Sequence, residues 1–442
     1  MMSPGLPANW RAYVIVAAVA FLCYANSLSH QFVFDDKPLL LGDPASYDLD
    51  RLPGHFTGEE GYFKTMGRYY RPLVALTYAF DRMTGRLLFG GMDPKSYHLT
   101  NVLIHVAVCL VLLALLTLLL ESTRAALLAA LVFAAHPIHT ESVAWISGRT
   151  DSLAGLFYFM ALLAYLRHTR RPSFGWLWLL FGSYGLALLS KEMAVTLPAA
   201  LILLDLLRPG RRLAPGTRYL IYAGLIGLTL LFLLARQGAL SGITVPEAGQ
   251  YFFGQPPLTV LATMLQTIPV YARLLIVPTG LLYHYNGVLP YQDSPLSPAV
   301  LPALLFVLVT LALALWWRRR QPLATFAILF FYLALLPVMN IVPTFSLMAE
   351  RFLFIPSLSI ALLIGWLIAK ARRPAAQAIA TIAGLLLIGG YAFLTIERNR
   401  DWSTDDRLFR AAEGTPGSLL NVNLGNVYSR AGDILKAEQL YL

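Results

Sequence analysis

Residues 99–119 read LTNVLIHVAVCLVLLALLTLL, a run without one charged side chain. A helix rises about 1.5 Å per residue and a bilayer core is about 30 Å thick, so this run has the length and polarity of a transmembrane helix. Further apolar runs lie near 12–28, 125–140, 152–166, 174–189, 193–207, 219–235, 258–278, 299–317, 323–339, 351–369 and 376–396. The 442-residue chain as a whole is 57% hydrophobic and 13% charged, with a mean hydropathy of +0.62. A soluble domain carries about 25% charged residues. These figures exclude a soluble globular domain, a disordered chain and a collagen, and predict an all-α polytopic membrane protein.

A net charge of +10 would point to nucleic acid in a soluble protein. Here the excess sits in short loops, where the positive-inside rule accounts for it, and no nucleic-acid partner is expected. Cys23 and Cys109 both fall inside apolar runs, so neither a disulfide framework nor a CxxC metal site is present. The first run is longer than a signal-peptide core and reads as an uncleaved span. With the N-terminus inside, Arg124, Arg167/Arg170/Arg171 and Arg208/Arg211/Arg212/Arg218 all fall inside. A full crossing by 258–278 would then place Arg318–Arg320 and Lys370/Arg372/Arg373 outside. That run also holds Gln266, Pro269 and Arg273. It is therefore read as re-entrant or interfacial on the outer side, leaving about eleven spans and an outer C-terminus. Between the first two spans lies an outer loop, 29–98. Within it RPLVALTYAFDRM spaces Leu73, Leu76, Phe80 and Met83 on one face, as an interfacial amphipathic helix would.

Ionisable residues beside spans are costly and are functional candidates by default. Four outer junctions carry them at one depth: Asp35 and Asp36 in FVFDDKPLL; His136, His139, Glu141, Arg149 and Asp151 in HPIHTESVAWISGRTD; Lys191 and Glu192 in SKE; Glu350 and Arg351 in MAER. Each has a bland reading, as a solvated loop start, a boundary anchor or a structural ion pair. HPIHTE resembles a zinc pattern, but no HExxH or CxxC accompanies it and no metal is expected. His105 reads as a packing residue. A shared outer cleft accounts for the junctions with one assumption. Its chemistry suits group transfer from a lipid phosphate: a carboxylate as base to an acceptor hydroxyl, with Arg and Lys on the phosphate. A transporter would tend to hold its charges near the midplane within internal repeats.

After the last run, Leu424, Gly425, Tyr428, Ala437 and Tyr441 match tetratricopeptide positions, and Asn421 stands at the tryptophan position. One repeat cannot bury its apolar face. The chain is thus expected to be a C-terminally truncated piece of a longer protein.

NSLSHQFVFDD, RYYRPLVALTY, YHLTNVLIH, HPIHTESVAWISGRTD, LSKEMAVTLPAALILLD, AERFLFIPSL and RDWSTDDRLF follow one another almost end to end. In that order they resemble the transmembrane and tetratricopeptide-repeat containing O-mannosyltransferase-like family, of the C-type glycosyltransferase superfamily. The resemblance implies a C-type transmembrane domain over 1–396 and a linker with the start of a repeat array over 397–442. It implies transfer of a sugar, typically mannose, from a polyprenyl-phosphate donor to protein Ser or Thr hydroxyls on the exoplasmic face. Protein acceptors would be recruited by the repeats, with membrane lipids as surroundings. Asp35 and Asp36 map to the catalytic acids. His136, His139 and Glu141 map to the family's histidine-containing loop. Charge and placement, not the resemblance, make Arg149, Lys191 and Arg351 candidates for the donor phosphate, with Arg71, Asp151, Glu192 and Glu350 as further substrate-binding candidates. Transfer to a lipid or glycan, or a multi-span transporter, is the alternative. Between 237 and 257 the sequence departs from the family pattern, which bears on the acceptor. Its Arg- and Ala-rich composition points to a bacterial cytoplasmic membrane with a periplasmic C-terminus.

Overall fold

The computed structural model describes residues 10–60, 69–208, 213–241 and 250–442. Arg211, Arg212 and residues 242–249 of the 237–257 stretch lie outside the described residues. Among the described residues every regular element is helical. The chain runs through α1 (Trp10–Tyr24), α2 (Pro72–Phe89), α3 (Pro94–Leu120), α4 (Thr123–Ala134), α5 (Arg149–Arg170), α6 (Phe174–Ser190), α7 (Leu197–Leu207) and α8 (Pro215–Ala239). It continues through α9 (Pro257–Ile276), α10 (Leu301–Trp317), α11 (Pro322–Leu335), α12 (Leu358–Lys370) and α13 (Pro374–Asp401), then α14 (Asp405–Arg410), α15 (Ser418–Arg430) and α16 (Ile434–Tyr441). Five described helices are long and apolar enough to cross a membrane, or six if the bent segment 123–143 is one span. This is an integral membrane protein.

The bend in that segment has a local cause. Pro137 cannot continue the α-helical ladder, and the ring of His136 accepts the N–H of Ile138 at 3.2 Å. The chain therefore turns by 48° after Ala134 and enters a single helical turn, Thr140–Val143. That turn, with the start of α5, carries the acids of the second outer junction into the protein. α3 packs on α1, α4 and α5, while α5 packs closely along α6. Gly155 on α5 allows the close approach of Phe354, because an added Cβ would lie 2.6 Å from its ring. Gly155→Ala is expected to cost about 1–3 kcal/mol through overpacking, read as a lowered unfolding midpoint in detergent. Gly182→Ala meets nothing within 4 Å and should leave the midpoint unchanged.

The charge clusters sort to opposite ends of the helices. At one end Arg170 and Arg208 meet Glu121, at 3.4 and 3.9 Å, and Trp366 donates to Gln321 at 3.2 Å. At the other end lie Asp35, Glu141, Lys191 and Arg351. The loops on either side of α9 both bond to the stretch before Glu350. Tyr251 N–H donates to Thr344 O at 2.9 Å, and Asn286 donates to Phe345 O at 2.9 Å. The segments before and after α9 thus both join that stretch, while α9, expected to be re-entrant, is itself one of the five helices long and apolar enough to cross a membrane. On α2, Leu76, Phe80 and Met83 are exposed as expected, joined by Leu87, while Leu73 packs partly buried against the core and Val74, Tyr78, Asp81 and Arg82 are buried, the pattern of a helix lying along a membrane surface. His105 is buried with one ring nitrogen on Ala134 O at 3.1 Å. α15 and α16 pair through Leu424, Tyr428 and Ala437, with Tyr441 lying against Gly425.

Candidate functional site

The two aspartates of FVFDD face different surroundings. α1 ends at Tyr24, a short turn covers Ala25–Ser29, and the chain then reaches Phe34, which adopts a left-handed φ of 52°. That kink leads into the pair, whose side chains then have different partners. Asp36 is fully buried: its carboxylate accepts Val33 N–H at 3.1 Å, Ser147 N–H at 2.9 Å and the Ser147 hydroxyl at 2.5 Å. These bonds pin the first outer loop to the second. Asp35 is half-buried, and its carboxylate makes no hydrogen bond or ion pair among the described residues. Burial pushes its pKa up to about 6; Arg351 pulls it down and Glu141 pushes it up.

Three ion pairs belong to one electrostatic network with Asp35. Arg351 pairs with Glu141, which also accepts the Arg351 backbone N–H at 2.7 Å. Lys191 donates to both oxygens of Asp151 at 2.6 Å. Arg71 grips Glu192 with two bonds, at 2.9 and 3.3 Å. The aromatic ring of Phe352 lies 5.1 Å from both the Lys191 ammonium and the Arg351 guanidinium. Tyr69 joins the groups, with the Arg71 guanidinium 4.3 Å from its ring and the charges of Arg71, Glu192, Arg351 and Asp35 all acting on its hydroxyl. Burial lowers the pKa of Lys191 to about 8 despite Asp151. Burial raises Glu192, but Arg71 and Lys191 outweigh it and hold the carboxyl at about 2. Burial also works against the charge of Arg351, and Glu141 more than compensates, so Arg351 stays a cation.

Among these cations Arg351 is the one open to a ligand. Its side chain is 22% exposed, against 5% for Lys191 and 8% for Arg71. A guanidinium has five N–H donors, and one of those of Arg351 is bonded to Glu141. Within its field, Asp35 offers an acceptor without a partner among the described residues. A half-buried carboxylate within the field of a fixed, partly exposed cation is the pairing that displacement of a phosphate by a hydroxyl calls for.

Other candidates are placed elsewhere. Arg149 is fully buried, paired with Asp81, and donates to Asn101 at 2.5 Å, Thr77 at 3.1 Å and Tyr97 O at 2.7 Å. A guanidinium so enclosed has no face for a donor phosphate; it locks α5 to α2 and α3. His136 bonds Leu275 O at 3.0 Å and His139 bonds the Ser357 hydroxyl at 2.9 Å, within a nest of Phe133, Phe354 and Tyr391. Glu350 is buried under the loop after α9: it accepts Leu282 N–H at 2.5 Å and the Tyr285 hydroxyl at 2.8 Å, with Arg398 at 3.6 Å. Burial pushes it up to about 7 against Arg398. No group of three metal-ligating side chains is found among the described residues. Sequence reading missed Tyr69, Phe352 and His284. His284 is half-buried, and burial with the Arg351 charge lowers it to about 4. The RYYRP and LLYHYN stretches carry two of the three, and their aromatic-plus-charge composition is the only signal available.

Comparison with known proteins adds the following. Residues 83–234 match the family model described as dolichyl-phosphate-mannose-protein mannosyltransferase. Protein O-mannosyl-transferase TMTC3 of Mus musculus is 26% identical over 98% of this chain and 50% of its own length. Protein O-mannosyl-transferase TMTC4 of Homo sapiens is 27% identical over 92% of this chain and 62% of its own. This chain is thus a relative of those proteins along almost its whole length, and spans about half to three fifths of theirs. The crystal structure of an Archaeoglobus fulgidus oligosaccharyltransferase tethered with an acceptor peptide matches with a TM-score of 0.46 at 14% identity, covering 98% of this chain and 58% of that one.

Proposed function

We propose that this chain, as a relative of protein O-mannosyl-transferases, is the membrane-embedded part of a glycosyltransferase. It moves a sugar, mannose by the names of its relatives, from a polyprenyl-phosphate carrier to Ser or Thr hydroxyls of proteins on the outer face. Residues 1–396 form the transferase domain, and 397–442 lead into repeats that bring acceptors to it. The N-terminus is cytoplasmic and the C-terminus periplasmic, in a bacterial cytoplasmic membrane. The observation that carries the reading is the division of the aspartate pair, with Asp36 saturated by three donors and Asp35 left open within the field of Arg351.

Asp35 takes the proton of the acceptor hydroxyl as its oxygen bonds to the anomeric carbon. The bond from that carbon to the phosphate oxygen breaks, and polyprenyl phosphate leaves with the electron pair. Arg351 meets the departing charge with its free N–H donors. Lys191 and Arg71, each paired with an acid, hold the aromatic floor of Phe352 and Tyr69 in place.

The test is transfer itself. Purified full chain in proteoliposomes, given labelled polyprenyl-phosphate mannose and a Ser/Thr peptide, should place the label on the peptide and release polyprenyl phosphate in equal amount. Label that crosses the bilayer while the peptide stays bare would favour a transporter. Label that reaches only lipid or glycan acceptors would reassign the acceptor.

A further inference from the structure

The kink at Phe34 places the open acid, and a residue far along the chain holds it. A bulky residue with positive φ is uncommon and persists only where its surroundings enforce it. Two carboxylates do so here. Asp36 accepts the N–H of Val33, just before the kink, and Asp405 accepts the N–H of Phe34 itself at 2.8 Å. Asp405 also pairs with Lys37, just beyond the acids. The same segment grips the loop again through Gln31 N–H, which donates to Ser403 O at 3.1 Å. Beneath these bonds lies a common apolar seat. Phe34 packs edge-on against Phe409, with ring centres 6.3 Å apart, and Trp402 is fully buried, stacked on Trp145 at 5.5 Å. Trp145 in turn lies 5.6 Å from the Arg351 guanidinium. The residues from Trp402 to Phe409 thus touch the support of both halves of the cleft. They lead directly into α15, whose Asn423 donates to the Tyr283 hydroxyl at 3.1 Å.

We infer that Asp405 is a positioning residue for Asp35, holding the Phe34 turn so that the carboxylate faces the cleft, and that it ties the segment leading to the C-terminal helix pair to that acid. The inference rests on the reading of Asp35 as the base. Asp405 does not touch substrate. It sets where Asp35 stands, and a displacement of about 1 Å at a reacting group costs on the order of 10²-fold in rate.

Full chain carrying Asp405→Ala, assayed with polyprenyl-phosphate mannose and a Ser/Thr peptide, should lose about 10- to 100-fold in kcat, with donor KM within about twofold of wild type. Asp405→Asn keeps an oxygen for the Phe34 N–H and should retain most of the rate. Lys37→Met removes the ion pair alone and should do the same. The acidic limb of the pH profile separates positioning from general damage. Arg351, Glu141, Tyr69 and Asp36 face Asp35, and none of them is altered by the substitution. A loosened turn lets water reach Asp35, so in Asp405→Ala the limb should move to lower pH. Misfolding would lower the rate equally at every pH. Wild-type kcat in Asp405→Ala, an unmoved limb, or equal loss in Asp405→Asn would overturn the inference. Full activity of Asp35→Asn would instead overturn the reading of the base, whatever Asp405 does.

Discussion

Asp35→Asn is expected to lower turnover about 10²–10⁴-fold, the usual worth of a general base, with the donor still bound and the protein still folded. The asparagine matches the carboxylate in shape, and among the described residues Asp35 has no hydrogen-bond partner to lose. Asp36→Asn should behave differently. Its three donors, two backbone N–H groups and a hydroxyl, would meet an amide that can accept at only one atom. One N–H would then face an N–H₂ group in a fully buried site. An unsatisfied buried donor costs about 1–3 kcal/mol, so Asp36→Asn should lower the unfolding midpoint more than it lowers turnover per folded molecule. Rates at saturating donor, set beside unfolding midpoints of both variants, check the division. The reverse pattern, a stable but inactive Asp36→Asn and an active Asp35→Asn, would transfer the role to Asp36.

Arg351→Ala should be the second large loss. Removing a donor aimed at charge that develops in the transition state costs about 2.7–4 kcal/mol, or about 10²–10³ in kcat. Part of the damage would be structural, since Glu141 is 1% exposed and would keep only the Arg351 backbone N–H as partner. Arg351→Lys separates the two effects. It keeps a cation on Glu141 and so should fold with a near-normal midpoint, but an ammonium cannot offer a planar fork to the carboxylate and a phosphate together. Its kcat should fall between wild type and Arg351→Ala. Wild-type kinetics in Arg351→Lys would reduce Arg351 to the structural partner of Glu141.

Much of this was legible in the residues. A charge-free stretch such as 99–119 has few outcomes besides a buried or membrane helix, and α3 covers it. The stripe of α2 was legible because helical spacing reports which face is exposed. The outer junctions announced themselves as acids and bases at span ends, and Glu141, Asp151, Lys191 and Arg351 do come together. Pairing was another matter. Arg149 reads like its neighbours in HPIHTESVAWISGRTD, yet Asp81 on an amphipathic surface helix neutralises it. Nothing local to either residue signals that contact. The aspartate pair was undecidable for the same reason: the left-handed turn before it and the bonds of Asp36 depend on Asp405 and Ser147, both distant in sequence. Periodicity gives faces, and long-range partners come only with the fold.

The central claim is that Asp35, not Asp36, is the proton acceptor, and the pH dependence of kcat tests it most directly. A base works only when deprotonated, and burial raises the Asp35 pKa to about 6, so turnover should fall as pH drops through about 6. Asp36 is also raised by burial, to about 7 against its hydrogen bonds, and a limb in the wild type alone would not discriminate. The residual activity of each variant does. The account predicts that the acidic limb vanishes in Asp35→Asn and persists in Asp36→Asn. A limb that survives in Asp35→Asn and disappears in Asp36→Asn would contradict it.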